Sequence, residues 1–170
     1  AIHGWQGDRT SMRPLINSMT IQNTGWYFLE APYPVNKGNG WSWSYEISDG
    51  KWEVDEPISL LHHFFAKLFE KYKSERIYVL GFSQGGLVCL DFVLFLDQPL
   101  GGVFPIAGFL HQPKMDLARF HPCQKNTPIL IGHGTEDDRV PVETSQHAYK
   151  QLLAQGANAE LLLYKCKHKI

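Results

Sequence analysis

The stretch of sequence that decides the fold is IYVLGFSQGG, which spans residues 77–86. Its apolar first part, Ile77 to Leu80, predicts a short buried strand. The pattern G-x-S-x-G centred on Ser83 follows at once, and an apolar segment of helix length, Gly85 to Leu96, comes next. A serine at such a strand-to-helix turn is typical of a nucleophile elbow, which holds the hydroxyl clear of the sheet. The alternative is a chance occurrence of the pattern in a loop, and the strand and helix on either side count against it.

The residues around Ser83 also fit a reactive hydroxyl. The flanking glycines are expected because bulky side chains two residues before or after the serine would collide with it in so tight a turn. Asp91 is the one charged residue between Leu87 and Leu96, so the helix after the serine is expected to be buried on most sides. A phosphate-binding loop is excluded because no lysine follows the glycines.

Apolar runs alternate with helix-length segments along the rest of the chain, the pattern expected of a mostly parallel sheet with helices on both faces. Further strands are predicted at Trp26–Glu30, Gly102–Ile106, Ile129–Gly132 and Leu161–Tyr164, and further helices at Ser11–Thr20, Pro57–Tyr72 and Glu143–Gln155. No repeat or linker divides the sequence, so a single α/β domain over residues 1–170 is predicted. Right-handed crossovers would place the C-terminal ends of the strands along one edge, where chemistry is expected.

The composition of the chain argues against several classes of function. Of the 170 residues, 44% are hydrophobic and 19% are charged, which is a globular profile, and the formal net charge is -1. The chain has no basic run and no apolar run long enough to span a bilayer, so neither a nucleic-acid partner nor an integral membrane segment is predicted. Three scattered cysteines do not make a disulfide framework, which favours a reducing compartment and hence the cytoplasm.

A candidate acid and a candidate base lie downstream of the serine, each just after a predicted strand. Asp137 and Asp138 are in one such loop and His168 is in another. The chain order Ser, Asp, His is that of the α/β-hydrolases, so the order predicts a triad of Ser83, Asp137 and His168. Most acidic loop residues are simply solvated, and the sequence separates the two adjacent aspartates poorly.

The front of the chain, HGWQG at residues 3–7, is a candidate for half of an oxyanion hole. Such a hole takes one backbone N–H from the residue after the nucleophile and one from a loop near the front of the sheet. Gln84 would supply the first N–H and Trp5 the second. The alternative is a glycine-rich turn with no catalytic role.

Three aromatic residues, Trp41, Trp43 and Tyr45, lie on a polar, glycine-containing loop. One interpretation is an apolar wall for the acyl chain of a substrate. The other is one face of a short strand that packs into the core, because aromatic residues at alternate positions are typical of both.

Four stretches together resemble the phospholipase/carboxylesterase family of α/β-hydrolases, which includes the acyl-protein thioesterases. They are HGWQG at 3–7, GFSQGG at 81–86, HGTEDDRVP at 133–141, and Tyr164 with His168. In that family the acid is the aspartate four positions after the histidine of the second His-Gly, which implies Asp137 rather than Asp138. The residue after the first His-Gly donates to the oxyanion, which implies Trp5.

The sequence departs from this family in two respects. Lys167 stands before His168 where the family commonly has glycine, so the histidine loop is expected to differ in shape. The chain also lacks the family's first strands and its last helix, which predicts a piece of a slightly longer protein.

The resemblance implies a serine hydrolase that cleaves carboxylic ester or thioester bonds through an acyl-enzyme, without a metal or cofactor. Lysophospholipase and acyl-protein thioesterase activities are alternatives within this class. Eight histidines raise a metal-dependent hydrolase as a rival, but no H-E-x-x-H pattern supports it. The rival outside enzymology is a binding protein on a hydrolase-like fold, since a fold does not settle a function.

Overall fold

The computed structural model describes residues 1–35, 38–109 and 120–169. Its helices are α1 (Arg13–Ser18), α2 (Asp55–Lys71), α3 (Gln84–Asp91) and α4 (Val142–Ala154). Its strands are β1 (Tyr33–Pro34), β2 (Trp41–Ser42), β3 (Tyr45–Ser48), β4 (Lys51–Glu53), β5 (Tyr78–Phe82), β6 (Gly102–Ile106), β7 (Ile129–Gly134) and β8 (Ala159–Tyr164). Short 3-10 helices span Ser74–Arg76, Val93–Phe95 and Pro122–Asn126.

Strands β5 to β8 form a parallel sheet in the order β5-β6-β7-β8. Helix α3 lies between β5 and β6 in the chain, and α4 lies between β7 and β8. Ile2 extends the sheet beyond β5, because it forms parallel bridges to Gly81 on one side and to Leu29 on the other. The predicted α/β-hydrolase architecture is therefore confirmed, and the loops that follow β5, β7 and β8 share one edge of the sheet.

The prediction of a strand at Trp26–Glu30 is wrong. Leu29 alone forms a bridge there, to Ile2. The backbone of this segment is hydrogen-bonded to Ala1: the Leu29 N–H donates to Ala1 O at 3.1 Å, and the Ala1 amino group donates to Tyr27 O at 2.8 Å. A strand needs consecutive bridged pairs with a neighbour, and this segment has the single pair of Leu29 with Ile2.

The other predicted elements exist, with shifted ends. Helix α3 stops at Asp91 instead of Leu96, where the 3-10 helix Val93–Phe95 takes over, and α1 is shorter than predicted at both ends. Strand β7 continues two residues further than predicted, to Gly134. This extension matters because it carries His133 and Gly134 into the sheet at the edge where the candidate acid lies.

Helices α2 and α3 show why these segments fold as they do. Helix α2 begins with Asp55 and Glu56 and has Lys71 in its last turn, charges that suit the helix dipole. Helix α3 is buried from Gln84 to Leu90 and packs against β5 and β6, as the apolar sequence predicts. Burial of its one carboxylate raises the pKa of Asp91 to about 7, since removal from water disfavours the charged form.

Candidate active site

Ser83 occupies a sharp turn between β5 and α3. Its backbone dihedrals are φ 53° and ψ -114°, a left-handed conformation that is strained for a residue with a side chain. Two hydrogen bonds hold the turn: the Ser83 N–H donates to Ile106 O at 2.8 Å, and the Leu87 N–H donates to Ser83 O at 3.0 Å. Strained backbone of this kind is found where the fold fixes a reactive group, as in a nucleophile elbow.

The glycines around Ser83 are required by close backbone approaches. A Cβ atom on Gly81 would collide with the carbonyl oxygen of Gly85, and one on Gly85 would collide with the carbonyl oxygen of Ile2. The prediction that steric crowding requires these glycines is confirmed, but the crowding atoms are backbone carbonyl oxygens and not the serine. The glycines let β5, α3 and the front loop approach one another, and that approach forms the elbow.

The side chains of Ser83, His168 and Asp137 lie in one hydrogen-bonded line. His168 Nε2 is 3.0 Å from Ser83 Oγ, and His168 Nδ1 is 2.7 Å from Asp137 Oδ2. A carboxylate oxygen only accepts, so Nδ1 carries the proton and Nε2 can accept the proton of the serine hydroxyl. The ring of Phe82 packs against the imidazole, with 4.8 Å between ring centroids. Lys167 before His168 does not keep the imidazole away from the serine.

The side chain of Asp137 is fully buried, and its two oxygens have separate roles. Oδ1 accepts hydrogen bonds from the Arg139 and Val140 N–H groups, both at 2.9 Å, and Oδ2 faces His168. Burial by itself would raise the pKa of Asp137, but the hydrogen bonds from Val140, His168 and Arg139 outweigh it, so this pKa lies below its usual value. The loop therefore holds a carboxylate, oriented at the imidazole.

Asp138, the neighbouring aspartate, points elsewhere. Its carboxylate lies 3.6 Å from the Lys167 ammonium, and both side chains are more than half exposed. An exposed pair of this kind contributes little to stability. The structure thus separates the two aspartates that the sequence left ambiguous.

His133 is a second imidazole beside the candidate acid, and reasoning from the sequence missed its contacts. It is fully buried, with Nε2 at 2.9 Å from Val140 O and at 3.3 Å from Asp137 Oδ2. Its Nδ1 is hydrogen-bonded to the Ser145 hydroxyl at 2.6 Å, which in turn donates to Gly108 O at 2.8 Å. His133 therefore ties the acid loop to α4 and to the loop after β6. The one signal in the sequence was its place at the end of a predicted strand.

The two candidate oxyanion donors, Gln84 and Trp5, belong to segments that approach Ser83 closely. Gln84 is the first residue of α3, so its N–H has no acceptor within the helix. The front loop comes close from the other side, because a Cβ atom on Gly4 would lie 3.2 Å from Ser83 Cβ. His3 shapes this loop: it accepts from the Ala31 N–H at 3.1 Å and donates to Gly4 O at 2.7 Å, and burial lowers its pKa.

The three aromatic residues of the predicted apolar wall are placed differently from one another. Trp43 is 3% exposed and packs on the His3 ring, with 5.5 Å between centroids. Trp41 is partly buried in β2, and Tyr45 is exposed at the start of β3, where it packs edge-on against Tyr33. The core interpretation fits Trp43, because a side chain closed off from solvent cannot form the wall of an open pocket.

A cavity of about 550 Å³ adjoins the elbow, and none of those three residues lines it. Its walls are the front loop, α1 and the residue before the serine. The apolar lining residues are Trp5, Met12, Pro14, Leu15 and Phe82. Trp5 is 56% exposed, so its side chain is accessible from solvent at this cavity.

Two kinds of site are absent from the part of the chain that the structure describes, a metal-binding cluster and a membrane-spanning helix. Within residues 1–35, 38–109 and 120–169, no cluster of three or more His, Cys, Asp or Glu side chains has the geometry to bind a metal ion. No helix in these ranges combines the length and apolar character needed to cross a membrane.

The fold and the site define the class of protein: an α/β-hydrolase with a serine elbow. Residues 2–170 match the family described as phospholipase/carboxylesterase, and the chain belongs to this family. The predicted resemblance is confirmed, and the chain is a hydrolase of the carboxylesterase type.

Relatives and solved structures of the same kind agree. The chain is 29% identical over 180 residues to carboxylesterase SOBER1 of Arabidopsis thaliana, covering 96% of this chain and 78% of the relative. It is 33% identical over 139 residues to acyl-protein thioesterase 1 of Schizosaccharomyces pombe, covering 75% of this chain and 62% of that protein. The crystal structure of Arabidopsis thaliana SOBER1 superposes with a TM-score of 0.84 at 27% identity, covering 99% of this chain and 89% of that one.

Proposed function

We propose that the protein hydrolyses carboxylic esters or thioesters through a Ser83-His168-Asp137 triad and an acyl-enzyme intermediate. The observation that carries the proposal is the continuous line of hydrogen bonds from Ser83 Oγ through the imidazole to a buried carboxylate. In the first step Ser83 Oγ attacks the carbonyl carbon and His168 Nε2 takes its proton. Asp137 stabilises the imidazolium that forms, and it remains ionised throughout.

The negative charge that develops on the carbonyl oxygen needs donors that are already in place. The backbone N–H groups of Trp5 and Gln84 are proposed for this role, and removal of one such donor costs about 3 to 4 kcal/mol in known oxyanion holes. The tetrahedral intermediate collapses to an ester on Ser83, and His168 gives its proton to the departing alcohol or thiol. Water then attacks this ester with His168 as base, and the released products are the acid and the free Ser83 hydroxyl.

Labelling with a fluorophosphonate tests the nucleophile directly. The probe phosphonylates an activated serine, with loss of fluoride, so the wild-type protein is expected to gain one label per chain. Ser83→Ala is expected to gain none, because the attacking oxygen is gone. Peptide mass spectrometry of the labelled protein reads out the position. Labelling of another residue, or undiminished labelling of the variant, contradicts the proposal.

The cavity at the front loop is proposed to hold an apolar part of the substrate. Leu15→Trp would fill part of this space, so it is expected to slow long-chain esters more than short ones. Each methylene group buried in the cavity is worth about 0.8 kcal/mol. If the variant excludes two methylene groups of the chain from the cavity, kcat/KM should fall by about tenfold or slightly more. The measurement compares esters in which either the acyl or the alcohol chain is lengthened.

Leu153→Trp is the matched control, since Leu153 is exposed on α4. It is expected to leave both series unchanged. Equal losses on short and long members of both series in Leu15→Trp would show that the cavity does not bind the substrate chain. Thioesters belong in the same panel, because one of the relatives is an acyl-protein thioesterase.

A further inference from the structure

Residues 41–44, here called the strap, connect the two segments that supply the proposed oxyanion donors. The strap consists of β2 and the two residues that follow it. Ser42, Trp43 and Ser44 are each no more than 5% exposed, and the Gln84 side chain is buried with them. Four neighbouring buried side chains with polar atoms need hydrogen-bond partners, and those partners determine what the strap holds together.

Three hydrogen bonds attach the strap to the front loop. The Gln6 N–H donates to Trp41 O at 3.1 Å, and the Trp41 N–H donates to Gly7 O at 2.8 Å. The Trp43 indole Nε1–H donates to His3 O at 3.0 Å. These bonds lie on both sides of Trp5, so the strap fixes the backbone that carries the first donor.

The side chain of Gln84 attaches the strap to the elbow. Its Oε1 accepts from the Trp43 N–H at 3.0 Å, and its Nε2 donates to Ser42 Oγ at 2.9 Å and to Ser44 Oγ at 3.1 Å. Both N–H bonds of the amide are therefore used. Gln84 thus combines two features in one residue: a backbone N–H at the start of α3 and a side chain that binds the strap.

We propose that the strap and the Gln84 side chain are positioning elements that set the separation of the Trp5 and Gln84 N–H groups. The inference rests on the proposed function, because it concerns the oxyanion hole of that reaction. The two donors belong to segments about eighty residues apart in the chain, and an oxyanion hole works only when its donors are fixed before charge develops. Trp43 is the central link, since its main chain binds Gln84 and its indole binds His3.

Trp43→Phe removes the indole N–H and keeps an aromatic ring, so it tests the link. We expect kcat for an ester to fall about tenfold or more, with KM within about twofold, because the oxyanion forms only in the transition state. A thionoester provides the specific readout. Its carbon–sulfur bond is longer and sulfur accepts hydrogen bonds weakly, so a precise hole favours the ester strongly. The ratio of ester to thionoester kcat/KM should therefore fall in the variant.

Ser44→Ala is the second variant, because it removes one acceptor of Gln84 with little change in volume and tests the link even if Trp43→Phe folds poorly. It should lower the same ratio by a smaller factor. The matched controls are Trp52→Phe and Ser48→Ala, two exposed positions of the β3–β4 hairpin, which should leave the ratio unchanged. Thermal unfolding and active-site titration correct every rate for folded, active protein.

Each outcome is decisive. A lower ratio in Trp43→Phe and Ser44→Ala, with intact controls, supports the inference. Equal slowing of ester and thionoester would mean a general structural role and overturn it, as would wild-type rates in both variants. Loss of all activity in Ser83→Ala shows in each case that the proposed function stands, whereas an active Ser83→Ala would overturn that function itself.

Discussion

Ser83→Ala or His168→Ala is expected to lower kcat by about 10,000-fold or more, and the double variant is expected to be no slower than either single variant. The reason is that the hydroxyl and the imidazole act as one unit. Without His168 the serine proton has no acceptor at 3.0 Å, and without Ser83 the imidazole has no nucleophile to activate. Alanine keeps the Cβ atom, so the strained φ of 53° at position 83 is unchanged and the fold is expected to persist.

The measurement is kcat on a p-nitrophenyl ester for the wild type, both single variants and the double variant. His147→Ala serves as the control for the histidine, because His147 lies exposed on α4. It should retain full activity. If the double variant is slower than the single variants by the product of their separate losses, the two side chains act independently and the triad is wrong.

The nucleophile elbow could be predicted from the sequence because the residues that define its pattern are adjacent in the chain. The β5 strand, the G-x-S-x-G turn and the buried α3 helix lie in one stretch, and the close approach of Gly81 to Gly85 leaves no room for other residues. The parallel sheet could be predicted for a similar reason, because apolar runs of strand length alternate with helix-length segments along the chain. The Trp26–Glu30 strand failed because its pairing depends on a neighbour elsewhere in the chain.

The surroundings of the site could not be predicted, because they depend on contacts between distant segments. The alternating aromatic residues near Trp43 fit a pocket wall and a core equally well. The choice is made by Gln84, 41 positions away, and by His3, 40 positions away, which bury the tryptophan. The sequence places His133 at the end of a predicted strand, but only the folded chain shows that its imidazole lies beside the Asp137 carboxylate. A sequence pattern identifies which residue types are present, but side-chain direction is a tertiary property.

Side-chain direction also determines the result expected for Asp137→Asn, a loss of about 10,000-fold in kcat with little change in KM. Oδ1 of Asp137 accepts two backbone N–H groups, so the carbonyl oxygen of the asparagine must take that place. Its NH₂ group then faces His168 Nδ1 and donates to it. This donation forces the imidazole proton onto Nε2, so His168 presents a donor to Ser83 where the reaction needs an acceptor.

Asp138→Asn is the matched control, because the same chemical change is made one residue further along on a carboxylate that pairs with exposed Lys167. Its kcat should stay at the wild-type value, since exposed pairs are worth at most about 1 kcal/mol and this one does not face the imidazole. Active-site titration gives kcat per folded site for each variant. If Asp138→Asn lost as much activity as Asp137→Asn, the hydrogen bond from His168 would not identify the acid. If Asp137→Asn kept most of its rate, the imidazole would not need a carboxylate to hold its proton on Nδ1.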